Sequence, residues 1–237
     1  MNKKDYEEFI IKSVNNLGYE VLGIVQHGST VMGVAEENSD IDFITLVNKV
    51  VNKKYKELPI ITSEGFKIHV TLFDKNTYEL LLKDFYTEIA MKLLDVNLLA
   101  GRIIHGDIIY DPLNLIEESI KIYNLNKCPK YIIEKFVWQC FNFINDAKHS
   151  NKYIKQNCIE KAIDSWGIAI LLSNSIYTLN IKWQPILLEK YLPPNIYDSY
   201  IKLRFNYNEK YINKHLKILM DFIRRELDAY QSSNTFH

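Results

Sequence analysis

Two short apolar runs, joined by a polar turn, constrain the fold of this chain more than any other stretch. Residues 21–25 are apolar or small, as in a buried strand, and the turn Gly28-Ser29 follows them closely. Asp40 and Asp42 then open a second apolar run. Because side chains two residues apart in a strand point to the same side, the two aspartates are predicted to share one face of a sheet.

The turn between these two strands is predicted to bind an anion. Gly28 permits a backbone conformation that a side chain would obstruct. Ser29 stands where a short helix over residues 31–37 is expected to begin, and free backbone N–H groups with a hydroxyl at such a point suit a phosphate. Two carboxylates beside a phosphate site describe a Mg²⁺-nucleotide site, since Mg²⁺ takes a few carboxylate oxygens and leaves its other positions to phosphates and water.

Composition limits the size and class of the protein. The 237 residues, 47% of them hydrophobic and 24% charged, can bury a sizeable core in one large domain or two small ones. Equal numbers of basic and acidic residues, 29 of each, argue against a nucleic-acid partner. No apolar run is long enough to span a bilayer, and three cysteines without Cys-x-x-Cys spacing indicate reduced thiols and a cytoplasmic protein.

Hydrophobic periodicity in the first half of the chain predicts helices and strands in alternation. Residues 3–17 repeat with helical spacing, and residues 66–73 alternate as a third strand does. The lysine-rich residues 48–58 are predicted to form a surface loop that Pro59 closes. Further helices are expected over residues 76–85 and 87–99, and one or two short strands within residues 102–110.

The period becomes purely helical after Asp111-Pro112, where the aspartate is expected to cap a helix and the proline to lie in its first turn. Helices are predicted at about 130–149 and 157–177, between Pro185 and Pro193, and at the C-terminal end, with the second of these central to the bundle. The fold class is therefore α+β. We predict a mixed β-sheet domain at residues 1–111, followed by an all-α helical bundle at residues 112–237.

The ordered set of Gly28-Ser29, ten residues and Asp40-x-Asp42 resembles the signature of the DNA-polymerase-β-type nucleotidyltransferases. Among these, the kanamycin and spectinomycin/streptomycin (aminoglycoside) nucleotidyltransferases look most similar. The resemblance implies an N-terminal nucleotidyltransferase domain and a C-terminal helical substrate-binding domain. It also implies Mg²⁺-dependent transfer of a nucleoside monophosphate from a nucleoside triphosphate, with ATP expected, to a hydroxyl group of a small molecule.

The resemblance assigns roles to the residues of the signature. Asp40 and Asp42 would be the catalytic carboxylates and would hold Mg²⁺, with two ions expected, because a two-metal site stabilises both the entering and the leaving oxygen. Gly28 and Ser29 would bind the phosphates of the nucleotide. Pyrophosphate would be the second product.

Two residues of the second half are weaker candidates. In the kanamycin type the general base is a glutamate in the first bundle helix, and here Asp146 is the candidate on the matching face. The alternative is a solvated carboxylate that pairs with a nearby lysine. Lys182 is a candidate for phosphate contact; alternatively, its stem packs on the neighbouring ring of Trp183 with its amine in water.

The third carboxylate of the family is replaced by a histidine. The strand around Ile68-His69-Val70 resembles the spectinomycin-type strand in which a glutamate takes the place of His69. Three explanations are open. His69 ligates a metal through its neutral imidazole, or Asp74 or Glu64 supplies the carboxylate, or the site is catalytically weak.

Three functions are consistent with these features. The first is an enzyme that acts on a small hydroxylated acceptor, either antibiotic-like or a metabolite. The second is a nucleotidyltransferase that modifies a protein partner. The third is a nucleotide-binding or regulatory module that has lost turnover, an alternative that His69 keeps open. No nucleic acid and no membrane are expected as partners, and the oligomeric state is open, with a homodimer as one option.

Overall fold

The computed structural model describes residues 2–37, 39–49, 55–61, 67–84, 102–103, 105–123, 128, 130–176, 181–205 and 209–233. The chain divides into two compact units, Met1–Leu125 and Asn126–His237. The predicted domain boundary after residue 111 stays a prediction. None of the helices in the described ranges is long and apolar enough to cross a membrane.

The first unit is built around one five-stranded sheet with the spatial order β3-β4-β2-β1-β5. Strands β2 and β4 are parallel, whereas the other neighbouring pairs are antiparallel, so the sheet is mixed. The strands are β1 (Val21–His27), β2 (Ile41–Val47), β3 (Tyr55–Ile61), β4 (Lys67–Asp74) and β5 (Asp107–Tyr110). The helices described in this unit are α1 (Lys3–Asn15), α2 (Lys75–Asp84) and α3 (Leu115–Tyr123).

Helix α1 covers one face of this sheet. The Asn2 side chain accepts hydrogen bonds from the backbone N–H groups of Lys4 and Asp5 at 3.0 and 3.1 Å, and the Asp5 carboxylate accepts from the Asn2 N–H at 2.7 Å. This reciprocal capping fixes the start of the helix. Ile10 and Val14 are fully buried and pack in one cluster with apolar side chains of β1, β2, β4 and β5. The polar residues at the start of β2 therefore belong to the other face.

The second unit contains helices alone in its described ranges, as predicted, and the α+β fold class is confirmed. Its helices are α4 (Lys130–Lys148), α5 (Lys152–Ser173), α6 (Gln184–Tyr191), α7 (Pro194–Phe205) and α8 (Glu209–Ser233). Helix α5 is buried continuously from Ser165 to Leu172, which agrees with its predicted central position. The Trp166 indole Nε1–H of α5 donates a hydrogen bond of 2.9 Å to the Leu219 carbonyl of α8.

The predicted loop over residues 48–58 is wrong at its C-terminal end, because Tyr55–Ile61 forms β3. This strand is outermost in the described sheet and pairs only with β4. An outermost strand tolerates lysine and proline, since one of its sides has no ladder to complete. Pro59 lies in the middle of β3, so it does not end a loop as predicted.

The short helix predicted over residues 31–37 is also wrong. The chain there makes consecutive turns, in which the Met32 N–H donates to the Gly28 carbonyl at 3.1 Å and the Val34 N–H to the Ser29 carbonyl at 2.9 Å. Gly33 has φ of +66°, a left-handed conformation that ends a helical turn. Ser29 therefore lies in a turn and not at a helix N-terminus.

Two further boundaries differ from the prediction. Helix α3 begins at Leu115, so Pro112 precedes the helix rather than opening it. The Asp111 carboxylate still caps it, because it accepts from the N–H groups of Ile116 and Glu117, both at 3.0 Å. Helix α5 begins five residues earlier than predicted, at Lys152, where Asn151 caps it. The helix predicted over residues 87–99 lies outside the described residues.

Candidate functional site

A row of three polar side chains crosses the sheet at the start of β2. Asp42 is paired with His27 on the antiparallel strand β1 and with His69 on the parallel strand β4. Residues that face each other in adjacent strands place their side chains on the same side of the sheet. His27, Asp42 and His69 therefore form one row over three neighbouring strands.

Asp42 and His69 are in direct electrostatic contact. The His69 Nδ1 lies 3.6 Å from the Asp42 Oδ1, which is too long for a hydrogen bond, and the two side chains are 35% and 28% exposed, respectively. Asp40 precedes β2 by one residue and is exposed. The structure thus brings Asp42 and His69 side by side at a surface that solvent reaches.

The surroundings of Asp42 disfavour its negative charge. Burial raises the pKa of its carboxyl group above the usual value, and the charge of Asp40 raises it further, whereas His69 and Arg102 act in the opposite direction. The net result is a raised pKa. A bound divalent cation would favour the ionised carboxylate, so these residues fit such an ion. Within the described ranges no three His, Cys, Asp or Glu side chains form a metal-holding group, so a cation bound here would need ligands from other sources.

Gly28 brings the turn into contact with this carboxylate. Its φ is +87°, and a Cβ atom there would lie closer than 3.0 Å to the Asp42 Oδ2. Both the backbone conformation and the lack of space therefore require glycine. Ser29 follows with 9% exposure. The predicted nucleotide-binding turn and the predicted metal ligand are thus adjacent.

Sequence reasoning overlooked His27. It is 5% exposed, and neither ring nitrogen has a hydrogen-bond partner among the described residues. Burial lowers the pKa of His27 to about 3, with smaller contributions from Arg102 and His69, so the imidazole is neutral near pH 7. The one signal in the sequence is that His27 stands at the end of the first apolar run, directly before Gly28.

Arg102 was also missed, and no local pattern identifies it. Its positive charge lowers the pKa values of both Asp42 and His27, which places it near this row. Gly106 holds the Arg102 segment against the end of β1. A Cβ atom there would lie closer than 3.0 Å to the Val25 side chain and to the carbonyl oxygens of Arg102 and Gln26.

Of the other carboxylates considered for the third position, Asp74 lies at the wrong end of β4. It is paired with Val47 and lies five positions beyond His69 along the strand, about 16 Å at the usual rise per residue. Its carboxylate accepts from the Thr77 N–H at 2.8 Å and from the Thr77 hydroxyl at 2.9 Å. Asp74 therefore begins α2 and does not join Asp42. Glu64 lies outside the described residues.

The two weaker candidates belong to the second unit. Asp146 lies near the end of α4 with an exposed side chain, and its carbonyl accepts a hydrogen bond of 2.7 Å from the Ser150 hydroxyl. Lys182 is exposed in the turn before α6. Their predicted roles as general base and phosphate contact stay predictions.

The comparison with protein families agrees with the motif. Residues 8–95, which include the row and the turn, match the family model of the nucleotidyltransferase domain. Among solved structures, a nucleotidyltransferase-like protein from Exiguobacterium sibiricum 255-15 is similar at 12% identity and a TM-score of 0.46, over 88% of this chain and 69% of that chain. No curated protein matches the sequence.

The predicted resemblance to the DNA-polymerase-β-type nucleotidyltransferases is thereby confirmed at the level of the superfamily. The match ends before the described helices of the second unit begin. The closer likeness to the aminoglycoside-modifying enzymes stays a prediction.

Proposed function

We propose that this protein is a Mg²⁺-dependent enzyme that transfers a nucleoside monophosphate from a nucleoside triphosphate, with ATP preferred, to a hydroxyl group of a small molecule. The observation that carries the proposal is the position of Asp42. This partly exposed carboxylate has a raised pKa and lies between the glycine turn and His69 on one face of the sheet. A carboxylate so placed suits a cation that is itself bound to phosphate oxygens.

Each candidate site residue of the first unit has a defined role in this proposal. Asp40 and Asp42 would hold two Mg²⁺ ions, with His69 as a further ligand, and the turn at Gly28 and Ser29 would contact the phosphates. The ions, when bound, supply positive charge for the phosphates and for the entering and leaving oxygens. Such a transfer depends mostly on positioning and charge stabilisation, so few reactive side chains are needed.

The chemical step is an in-line displacement at the α-phosphorus. The acceptor hydroxyl oxygen forms the new bond to phosphorus, the bond from phosphorus to the bridging oxygen of the β-phosphate breaks, and pyrophosphate leaves. Asp146 would take the proton of the hydroxyl group, a task worth on the order of 10²–10⁴-fold in rate. Lys182 would contact a phosphate oxygen.

Cellular location and acceptor class complete the proposal. Cys128, Cys140 and Cys158 form no disulfide bond, which suits a reducing compartment such as the cytoplasm. The acceptor is an antibiotic-like compound or a metabolite with hydroxyl groups.

The test combines two measurements on the full chain. Each of the four ribonucleoside triphosphates is incubated with Mg²⁺ and a panel of hydroxylated acceptors, including aminoglycosides, and pyrophosphate is quantified. Mass spectrometry then looks for the acceptor plus one nucleoside monophosphate. Acceptor-dependent pyrophosphate release with the matching mass is the expected result. Release with no acceptor in the panel modified would contradict the small-molecule acceptor.

The histidine at position 69 favours a second candidate, a nucleotide-binding module without turnover. Calorimetric titration with a non-hydrolysable nucleotide and Mg²⁺ separates the two functions. Binding without pyrophosphate release under any condition supports the module. A nucleoside monophosphate attached to a co-purified protein would instead show that the acceptor is a protein.

A further inference from the structure

The imidazole of His69 beside Asp42 affects which metal ion this site would bind more tightly. We infer that Asp42 and His69 form a mixed carboxylate–imidazole site, and that His69 makes this site favour Mn²⁺ over Mg²⁺. The inference rests on the proposed function, because that function requires a divalent cation. It adds to that proposal the relative affinity of the site for the two ions and leaves the reaction unchanged.

The geometry allows both side chains to bind one ion. The His69 Nδ1 and the Asp42 Oδ1 lie 3.6 Å apart. Two donors at about 2.1 Å from one ion, at angles between a right angle and the tetrahedral angle, are about 3.0–3.4 Å apart. A small side-chain rotation therefore brings both atoms to one cation. The parallel register of β2 and β4 holds the two residues opposite each other, so little backbone change is needed.

Among the described residues, no carboxylate takes the place of His69 next to Asp42 in this row. Asp74 is occupied at the far end of β4, where Thr77 binds both of its carboxylate oxygens. On the other flank of Asp42, His27 is also an imidazole, but it is only 5% exposed. We assign the ligand role to His69, which is 35% exposed and accessible to a solvated ion.

The donor set decides the selectivity. Mg²⁺ is a hard ion that prefers oxygen ligands and gives up its water reluctantly. Mn²⁺ is a first-row transition ion, the weakest binder of that series, and accepts a nitrogen ligand more readily than Mg²⁺ does. A neutral imidazole in place of a carboxylate also removes one negative charge. The lost charge weakens the binding of both ions, so the preference for Mn²⁺ comes from the nitrogen donor.

Pulsed electron paramagnetic resonance of bound Mn²⁺ tests the inference without turnover. The full chain is loaded with Mn²⁺ and inorganic tripolyphosphate in a nitrogen-free buffer, so the protein is the sole source of nitrogen. The wild type is expected to show the ¹⁴N modulation of a coordinated imidazole. The modulation should be lost in His69→Glu, which restores a carboxylate, and in His69→Gln, which keeps the charge neutral.

Two variants test whether the removal of a different histidine also affects the signal. His27→Gln removes the buried neighbour of Asp42, and His215→Gln removes a histidine of the second unit that lies 3.2 Å from the Ser199 hydroxyl. Both should keep the modulation. Circular dichroism and the thermal midpoint establish that each variant is folded. Because two different substitutions are made at position 69, the test remains valid when one of them does not fold.

Competition between Mg²⁺ and Mn²⁺ gives the size of the effect. The ratio of the Mg²⁺ to the Mn²⁺ dissociation constant should fall roughly tenfold in His69→Glu. Even the loss of a residue that only supports a metal ligand lowers the affinity for the metal by at least about that factor. An unchanged ratio overturns the inference.

The remaining outcomes separate this inference from the proposed function. If Mn²⁺ binds without nitrogen coupling and Asp42→Asn abolishes that binding, the carboxylate site stands and the inference about His69 fails. If the coupling disappears in His27→Gln instead of the position-69 variants, the inference also fails. If the protein binds no Mn²⁺ with tripolyphosphate, the proposed function itself fails.

Discussion

Each of the two units contains a cluster of polar side chains. The two clusters differ in how completely their polar atoms are hydrogen-bonded. In the first unit, Asp42 has its imidazole neighbour His69 at 3.6 Å, beyond hydrogen-bond length. Beside it, His27 buries two ring nitrogens that have no partner among the described residues. This cluster is therefore incompletely bonded.

The cluster of the second unit is much better bonded. Asp164 of α5 pairs with Arg204 of α7, and Arg204 also donates to the Ile181 carbonyl at 3.3 Å. Gln184 is fully buried, and its Nε2 donates to the Asp164 carbonyl at 3.0 Å, while its Oε1 lies 3.5 Å from the Tyr200 hydroxyl. These bonds connect three helices of the bundle.

This difference in hydrogen bonding distinguishes polar side chains that stabilise the fold from polar side chains that serve to bind a ligand. A buried polar group without a partner costs about 1–3 kcal/mol, so an incompletely bonded cluster needs another reason to exist. In the first unit that reason is the nucleotide and its cation, according to the proposed function. Substitutions in the two clusters should therefore have opposite consequences for activity and stability.

The largest expected effect is that of Asp42→Asn. Pyrophosphate release should fall to background, because the amide carries no charge to hold a cation. The thermal midpoint should stay constant or rise, since burial disfavours the charge of the native carboxylate. A pyrophosphate assay and a thermal scan on the same sample measure both. An Asp42→Asn variant with wild-type activity would remove Asp42 from the site.

Gly28→Ala should rank second, with Gly18→Ala as its matched control. Both glycines have positive φ, +87° and +83°, so alanine costs each about 1–2 kcal/mol in backbone strain. A Cβ atom at Gly28 would also strike the Asp42 carboxylate, whereas one at Gly18 meets nothing within 4 Å. Displacing a catalytic group by about 1 Å can cost on the order of 10²-fold in rate.

Urea unfolding and the pyrophosphate assay compare the two glycine variants. We expect both variants to lose unfolding free energy, Gly28→Ala more than Gly18→Ala because of its contact with Asp42, and a large loss of activity in Gly28→Ala alone. Equal activities would mean that the Gly28 turn and Asp42 do not act together.

Gln184→Leu tests the well-bonded cluster. The substitution leaves the Tyr200 hydroxyl without this buried partner and should lower the free energy of unfolding by about 1–3 kcal/mol. For a chain of this length, each 1 kcal/mol corresponds to about 2–4 °C in the thermal midpoint. An unchanged midpoint in calorimetry would show that the bonds of this cluster contribute little.

The smallest effect is expected from His27→Leu, and it has the opposite sign. Leucine fills a similar volume without the two unpaired ring nitrogens, so the free energy of unfolding should rise by about 1 kcal/mol in the absence of nucleotide. Urea unfolding provides the measurement. A loss of stability would show that the ring nitrogens are satisfied, and the contrast between the two clusters would then fail.

The parts of the site that the sequence predicted are those fixed by local spacing. Gly28 needs only its turn, and Asp42 needs only its place in β2. His69 was placed beside them through the alternation of its strand and the resemblance to the family. Side chains that depend on distant segments escaped prediction. Arg102 reaches the row through the packing of Gly106 on β1, and no spacing in the sequence encodes that approach.

The fold shows the same limit. Strands β1 and β2 were predicted from their apolar runs and β4 from its alternation. Strand β3 was not predicted, because an outermost strand can carry Pro59 and a lysine without an apolar pattern. The helix over residues 31–37 was predicted as the element that follows the Gly28-Ser29 turn. The left-handed backbone at Gly33 decides against it, and composition does not reveal which glycines take that conformation.

The parallel register of β2 and β4 has a consequence for the order of folding. Strands β3 and β4 are close in sequence and form an antiparallel pair, so they can associate early as a local hairpin. Asp42 and His69 are brought together only when β4 pairs with β2, and closing that longer loop costs more chain entropy. We therefore expect a folding intermediate with the hairpin formed to lack any capacity for metal ions. According to the proposed function, cation binding would then begin only when β4 docks on β2.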